Sequence, residues 1–187
     1  CVLDGDAGNL YLEPDASDLA LAQQAHQAWQ AAREAERLAC YQPAITTDGQ
    51  RIEVVANIGN AVEAEQAVNA GAEGIGLLRS EFLFLQRAEP PSEDEQFAAY
   101  SAMTRALNGL PLIIRTLDIG GDKEVPYLSM PAEANPFLGV RGIRLCFARP
   151  DLFNTQLRAI YRAASTGPVK IMFPMIATVE ELLTARD

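Results

Sequence analysis

The sequence predicts an α/β fold with a parallel sheet, in the form of half a (β/α)8 barrel. From residue 51 onward, short apolar runs alternate with helical segments, and about four such units follow one another. Repeated strand-then-helix units are typical of parallel sheets. A complete barrel needs roughly 250 residues, about twice the length of this stretch. The residues before it, 1–13 and 14–43, have a different organisation.

The first segment, residues 1–13, is predicted to form short strands around a turn. Asp4-Gly5 and Gly8-Asn9 separate two apolar runs, and such dipeptides are typical of hairpin turns. The chain starts at Cys1 rather than Met, so we expect it to be a piece of a longer protein and this segment to be the end of an upstream domain.

The second segment, residues 14–43, is predicted to be one long helix. Between Asp18 and Cys40 it is rich in Ala, Gln, Glu and Arg and nearly free of Gly and Pro, a composition that favours a helix. Asp15 or Ser17 is the expected N-cap. The apolar stripe is patchy, which is typical of a helix that bridges two domains.

The alternating part, residues 44–187, accounts for the rest of the chain. Its third strand ends at Arg115, and one of its helices opens with Ser92 followed three residues later by Glu95, a capping box. The predicted strands are 52–58, 74–78, 112–115 and 169–173, and the predicted helices are 61–70, 92–107, 150–164 and 178–185.

Composition excludes several classes of function. The 25 acidic and 15 basic residues leave a net charge of −10, which argues against nonspecific nucleic-acid binding. No apolar run approaches the roughly 18 residues of a membrane span, and no signal peptide opens the chain. Three widely spaced cysteines predict neither a disulfide framework nor a zinc site, and they favour a reducing, cytoplasmic location.

Three arginines are the strongest candidates for chemistry. Arg79 and Arg115 follow predicted strands, and Arg141 lies beyond the long loop after the third strand. Function in parallel α/β folds sits at the carboxyl ends of strands. Because a guanidinium offers a planar fork of donors to phosphate and carboxylate oxygens, the three together predict a pocket for a small, multiply charged anion.

A structural role is the alternative for any one of these arginines. An arginine after a strand often pairs with a nearby carboxylate, and here Glu81 or Asp118 would serve. His26, the single histidine, is expected to be a solvated helix residue, and Cys146 is expected to be a core residue rather than a nucleophile.

The loop between 119 and 139 is long enough to suggest function. It begins with two glycines that allow close approach of the backbone to a ligand, followed by Asp122 and Lys123 as supporting candidates. The loop also holds an apolar stretch around Phe137, which argues against pure disorder.

Four stretches in this part of the chain form a set of motifs: GAEGIGLLRSEF at 71–82, IRTLDIGGDK at 114–123, NPFLGVRGIR at 135–144 and MFPMI at 172–176. Together they resemble one family, the phosphoenolpyruvate-protein phosphotransferases (Enzyme I of the sugar phosphotransferase system). The resemblance runs along essentially the whole chain. It does not separate a stand-alone Enzyme I from the Enzyme I-like part of a fused multiphosphoryl transfer protein.

The resemblance implies roles for individual residues. Arg79 and Arg115 match the arginines that bind the phosphate of phosphoenolpyruvate (PEP), and Arg141 matches a third arginine of that site. Asp118 and Lys123 match nearby positions of less defined role. Ser80 stands where many relatives have Thr, a change that keeps the hydroxyl.

The resemblance also implies the domain organisation. Residues 1–13 would end the swivelling phosphohistidine domain, 14–43 would be the linker helix, and 44–187 would be the first half of the PEP-binding barrel. The phosphorylated histidine, the Glu and Asp that hold Mg²⁺, and a proton-donating cysteine would all lie outside the chain. We therefore expect no catalytic residue and no metal ligand here, weak PEP binding and no turnover.

The family's partners follow from the same resemblance. They are an HPr-like phosphocarrier protein, which passes the phosphoryl group on for sugar uptake, and a second copy of the chain in a homodimer. Three alternatives stay open at this point: a related barrel of the pyruvate phosphate dikinase or phosphoenolpyruvate synthase type, a non-catalytic dimerisation module, and an unrelated α/β domain with structural arginines.

Overall fold

The computed structural model describes residues 1–120, 125–128, 130 and 133–187. The chain forms two compact units, Cys1–Pro43 and Ala44–Asp187. Within the described ranges, no helix combines the length and the apolar character needed to cross a bilayer.

The first unit consists of a hairpin and one helix, as the sequence predicts. Strands β1 (Val2–Asp4) and β2 (Asn9–Tyr11) pair antiparallel, and helix α1 runs from Ala16 to Ala39. Asp15, not Ser17, is the N-cap: its carboxylate accepts hydrogen bonds from the backbone N–H groups of Ser17 and Asp18, both at 2.8 Å. No residue of α1 is buried within the unit, in keeping with its patchy apolar stripe.

The second unit is built on a four-stranded parallel sheet. Its strands follow one another in chain order, and α2 contacts α3, which in turn contacts α5. Its elements are β3 (Ala44–Ile45), β4 (Arg51–Ile52), β5 (Ala56–Ile58), α2 (Ala61–Asn69), β6 (Ile75–Arg79), a 3₁₀ turn (Ser80–Leu83), α3 (Glu93–Ala106), β7 (Leu112–Arg115), α4 (Ile143–Ala148), α5 (Pro150–Ala163), β8 (Val169–Met172) and α6 (Val179–Arg186). The predicted mixed α/β fold with a parallel sheet is confirmed.

The main core lies between this sheet and its helices. Apolar side chains of the strands pack against the inward faces of α2, α3 and α5, because those faces repeat with the helical period. Its fully buried members are Ala64, Ile75, Leu78, Tyr100, Leu107, Leu112, Ile114, Ala159, Ile160 and Ala163.

A second core forms around the segment after β7 and around α4. Ile119, Val125 and Leu128, from the long loop, are buried together with Leu145 and Phe153. The apolar stretch singled out around Phe137 is not part of this core, because Phe137 and Leu138 are 64% and 74% exposed.

The predicted strand 52–58 is wrong as a single element. Its first part pairs in the β3–β4 hairpin, and its last part is β5 of the parallel sheet. The two strands are separated at residues 53–55, where Val54 hydrogen-bonds to Glu73 instead of continuing a strand. The Val54 N–H donates to the Glu73 carboxylate at 3.0 Å, and the Glu73 N–H donates to the Val54 carbonyl at 2.8 Å. Arg51 holds the same carboxylate at 2.7 Å.

Helix α4 was not predicted, because it is short and lacks the usual start signal. Its N-cap is Gly142, which has φ of 55° and offers no side-chain cap. A Cβ at that position would lie 2.8 Å from Cγ of Met175 and 3.0 Å from the Pro174 carbonyl oxygen. Glycine is therefore required here both for its backbone conformation and for the close approach to the segment after β8.

The start of α3 makes the stability of the second unit dependent on pH. The Glu95 carboxylate accepts hydrogen bonds from the Arg87 guanidinium and, at 2.8 Å, from the Ser92 N–H. These contacts, with Arg87 first, lower the pKa of Glu95 from 4.5 to about 2. Because the pKa of Glu95 is lower in the folded state than in the unfolded state, its ionised carboxylate stabilises the fold. This stabilisation is fully present above pH 4.5 and is lost as the pH falls toward 2.

We therefore predict that Glu95→Gln unfolds more easily than the unchanged protein above pH 5 and that the two converge as the pH approaches 2. Chemical denaturation across this range measures the difference. Arg87→Ala should reproduce part of the effect, since Arg87 makes the largest contribution to the shift. A difference between Glu95→Gln and the parent that stays constant down to pH 2 would contradict the prediction.

Candidate anion-binding site at the strand ends

Arg79 and Arg115 lie side by side at one edge of the sheet. Arg79 ends β6, Arg115 ends β7, and the two are register partners in the parallel ladder, so their strands are about 4.8 Å apart. The preceding residues, Leu78 and Ile114, are fully buried in the main core. Because side chains alternate along a strand, both arginines project from the opposite face, at the carboxyl edge.

Arg115 is held by two carboxylates. Its guanidinium binds Glu81, from the 3₁₀ turn after β6, and its Nη1 lies 3.2 Å from Oδ2 of Asp118. Glu81 is only 2% exposed and Asp118 only 7%. These ion pairs are therefore largely shielded from water, and they fix the direction of the Arg115 fork.

Arg141 reaches the same cluster through Asp118. Its Nε donates to Oδ1 of Asp118 at 3.0 Å, and its guanidinium carbon lies 5.0 Å from the centroid of the Phe137 ring. Arg141 is itself only 7% exposed. The structure thus brings all three predicted arginines into one neighbourhood, with Asp118 as the bridge between Arg115 and Arg141.

The charges of this cluster are unevenly matched. The carboxylates of Glu81 and Asp118 offset the guanidiniums of Arg115 and Arg141. Arg79 is exposed and makes no ion pair with a residue in the described ranges. Its charge is therefore the one in this cluster that is available to a ligand from solvent.

The structural alternative raised by the sequence applies to part of the cluster. Arg115 does pair with Glu81 and Asp118, the two carboxylates expected under that alternative. Such pairing is compatible with ligand binding, because a guanidinium held by carboxylates on one side can still present donors on the other. It does mean that removing Arg115 would leave Glu81 buried without its partner.

Behind the cluster lies a buried residue that sequence reasoning missed. Gln156 of α5 donates to Oγ of Ser80 at 3.0 Å and accepts from the Leu117 N–H at 2.8 Å. Ser80 in turn donates to the Arg115 carbonyl at 2.6 Å. The available clue was position: Gln156 is a polar residue on the apolar stripe of an amphipathic helix.

Cys146 does not take part in the cluster as a reactive group. It lies buried in α4, and burial raises the pKa of its thiol to about 12. A thiol with that pKa carries almost no thiolate at neutral pH. The prediction that Cys146 is a core residue is confirmed.

Two supporting candidates, Asp122 and Lys123, lie outside the described residues. In the ranges that are described, no group of three or more His, Cys, Asp and Glu side chains is arranged to hold a metal ion. The two carboxylates of the cluster, Glu81 and Asp118, are already engaged by arginines.

The fold agrees with comparisons to known proteins. A model of the family "PEP-utilising enzyme, PEP-binding domain" matches residues 33–187, most of the chain. The chain belongs to this family, whose members are enzymes, and the resemblance stated from the sequence motifs is confirmed.

Multiphosphoryl transfer proteins and phosphoenolpyruvate-protein phosphotransferases are among the proteins similar to this chain. A multiphosphoryl transfer protein of Rhodobacter capsulatus is 62% identical over 185 residues, which cover 99% of this chain and 22% of that protein. Phosphoenolpyruvate-protein phosphotransferases of Geobacillus stearothermophilus and Bacillus subtilis are 47% and 43% identical, each over 99% of this chain and 32% of the relative. The chain thus spans between about a fifth and a third of these relatives.

The bridging position of Asp118 leads to a stability prediction. Asp118→Asn should lower the free energy of unfolding by about 3 kcal/mol, because it removes the charge that buried Arg141 and partly buried Arg115 share. Thermal or chemical denaturation measures the change.

Asp151→Asn is the matched control for this experiment. Asp151 pairs with Arg149 at 2.7 Å, but its side chain is 60% exposed. The same substitution there should cost less than about 1 kcal/mol. Equal, small losses at both positions would show that the Asp118 pairs are not desolvated in the way described.

Proposed function

We propose that this chain is the substrate-binding part of a phosphoenolpyruvate-protein phosphotransferase. The whole protein would move the phosphoryl group of PEP to a protein histidine and then to a carrier protein for sugar uptake. The observation that carries the proposal is the exposed Arg79 guanidinium, without an ion pair in the described residues, beside Arg115 at the carboxyl edge of the sheet. The names of the relatives support the same activity.

The chemistry of PEP fits such a site. The ligand carries a phosphate and a carboxylate, and phosphoryl transfer depends on positioning and on neutralising charge over the phosphate oxygens. Arg79 would supply the uncompensated charge, and Arg115 and Arg141 would supply donors whose orientation Asp118 sets in advance. Lys123 and Asp122 are proposed as supporting residues on the strength of the motif alone.

The domain organisation is proposed on the same basis. Residues 1–13 would be the end of a swivelling phosphohistidine domain, 14–43 a linker helix, and 44–187 the first half of a PEP-binding (β/α)8 barrel. The chain-ordered parallel strands and the continuous row of α2, α3 and α5 support the half-barrel, because a barrel is wound in one direction.

The remaining parts of the reaction are proposed to lie elsewhere in the whole protein. They are the phosphorylated histidine, the proton-donating cysteine and the Glu and Asp that would hold Mg²⁺. That ion would neutralise phosphate charge when bound. Without it, one uncompensated arginine leaves most of the charge of PEP unbalanced, so the chain alone should bind PEP weakly.

The resemblance to the family is also the basis for proposing the partners and the location of the whole protein. It would act on an HPr-like phosphocarrier, form a homodimer and work in the cytoplasm. The higher identity to the multiphosphoryl transfer protein, 62% against 47%, favours the fused form over a stand-alone Enzyme I. A barrel of the pyruvate phosphate dikinase or phosphoenolpyruvate synthase type is the alternative within the same family.

Arg79→Ala provides the cleanest test of the site. We expect it to weaken PEP binding at least tenfold, since a charge-assisted contact to phosphate contributes about 1.5–3 kcal/mol. Calorimetric titration of the 187-residue chain measures the dissociation constant. Thermal stability should barely change, because Arg79 is exposed and makes no ion pair with described residues.

Arg105→Ala is the matched control, since Arg105 is also exposed but lies in the last turn of α3, toward the amino edge of the sheet. It should leave PEP binding unchanged. Equal affinity of Arg79→Ala and the parent chain for PEP would refute the site. Arg115→Ala is less informative, because losing the partner of buried Glu81 also destabilises the fold.

The chain alone should accept no phosphoryl group. Its one histidine, His26, sits on the linker helix, bonded to Gln30 at 2.9 Å and stacked on Trp29. Incubation with PEP labelled in the phosphate should leave the purified chain unlabelled, whereas a full-length phosphoenolpyruvate-protein phosphotransferase in the same buffer should be labelled. Label on the 187-residue chain would contradict this prediction.

A further inference from the structure

We propose that Gln156 is a positioning residue, which sets the spacing of the two strand-end segments that carry the anion-binding arginines. This inference rests on the proposed function, since it concerns how the same site holds PEP. Gln156 lies on α5 and is only 1% exposed, so it acts through other residues rather than on the ligand.

One carboxamide connects the segment after β6 to the segment after β7. Oε1 of Gln156 accepts from the Leu117 N–H at 2.8 Å, and Nε2 donates to Oγ of Ser80 at 3.0 Å. Ser80 donates onward to the Arg115 carbonyl at 2.6 Å. Both bonds of the Gln156 carboxamide are buried, and the Ser80–Arg115 bond is partly buried. Hydrogen bonds in a low-dielectric interior are stronger than in water.

The positions of these contacts along the chain explain their importance. Ser80 lies between Arg79 and Glu81, and Leu117 lies between Arg115 and Asp118. The ladder between β6 and β7 ends at the register pair of the two arginines. Beyond that pair, hydrogen bonds of the Gln156 carboxamide and the Ser80 hydroxyl join the segment after β6 to the segment after β7.

The carboxamide is itself held in one orientation. Nε2 of Gln156 also donates to the Tyr100 hydroxyl at 3.1 Å, and that hydroxyl donates to Oε1 of Gln96 at 3.3 Å. Gln96 then donates to the Pro91 carbonyl at 3.1 Å. Because the donors of Nε2 are used by Ser80 and Tyr100, rotating the amide by half a turn would break bonds at both ends.

A purely structural role and a positioning role make different predictions. If the carboxamide only stabilises the fold, its loss lowers the melting temperature and leaves ligand preference unchanged. If it sets the spacing of the two segments, its loss weakens a ligand that must contact both arginines more than a small anion that one exposed arginine can bind. PEP and inorganic phosphate are such a pair of probes.

The experiment compares Gln156→Leu with the parent chain by titration with PEP and, separately, with inorganic phosphate. We expect the dissociation constant for PEP to rise about tenfold or more, since small misplacements of binding groups are costly. The constant for phosphate should change less than about threefold. Rescue is tested at the neighbouring position: Ser80→Ala should weaken PEP binding, and Ser80→Thr, which keeps the hydroxyl, should not.

Thr104→Val is the matched control for lost buried polar contacts. Thr104 is 2% exposed on α3, and its hydroxyl donates to the Ser101 carbonyl at 3.0 Å, with no bond to the strand-end segments. It should lower the melting temperature and leave both dissociation constants unchanged. This separates loss of stability from loss of spacing.

Each outcome decides the inference. A parallel change for PEP and phosphate in Gln156→Leu, or no change for either, overturns it. If Gln156→Leu does not fold, equal PEP affinity of Ser80→Ala and Ser80→Thr overturns it instead. If the parent chain binds no PEP, or Arg79→Ala binds it as well as the parent does, the proposed function fails and this inference fails with it.

Discussion

The arrangement at the carboxyl edge of the sheet depends on the carboxylate of Asp118. It joins Arg115, at the end of a strand, to Arg141, which arrives from the far side of a long loop. Without a shared anion, the buried guanidinium of Arg141 and the partly buried guanidinium of Arg115 would repel each other after losing much of their hydration. Asp118 therefore allows residues distant in the sequence to belong to one site.

The pairing through Asp118 also explains why the three arginines differ in charge compensation and exposure. Arg115 and Arg141 are neutralised by protein carboxylates and gain a fixed direction, while Arg79 keeps its charge exposed to solvent. A site made in this way presents oriented donors and one available charge. In an acidic chain, with a net charge of −10, that local cation is what would draw an anionic ligand.

The buried polar chain through Gln156 supports the same edge from behind. It runs from the Arg115 carbonyl through Ser80, Gln156 and Tyr100 into α3. Burial raises the pKa of Tyr100, which keeps its hydroxyl protonated and able to donate. The helices on one side of the sheet thus influence the geometry of the groups on the other side.

The sequence by itself determined the alternation of sheet strands with the main helices, the parallel sheet, the family and the arginines worth attention, because alternating apolar periods, capping residues and strand-end positions are local signals. Only the tertiary structure decided that 52–58 is two strands, that Asp118 bridges two arginines and that Gln156 ties two segments together. Those features are contacts between residues far apart in the chain. Their existence depends on packing, which no local pattern encodes.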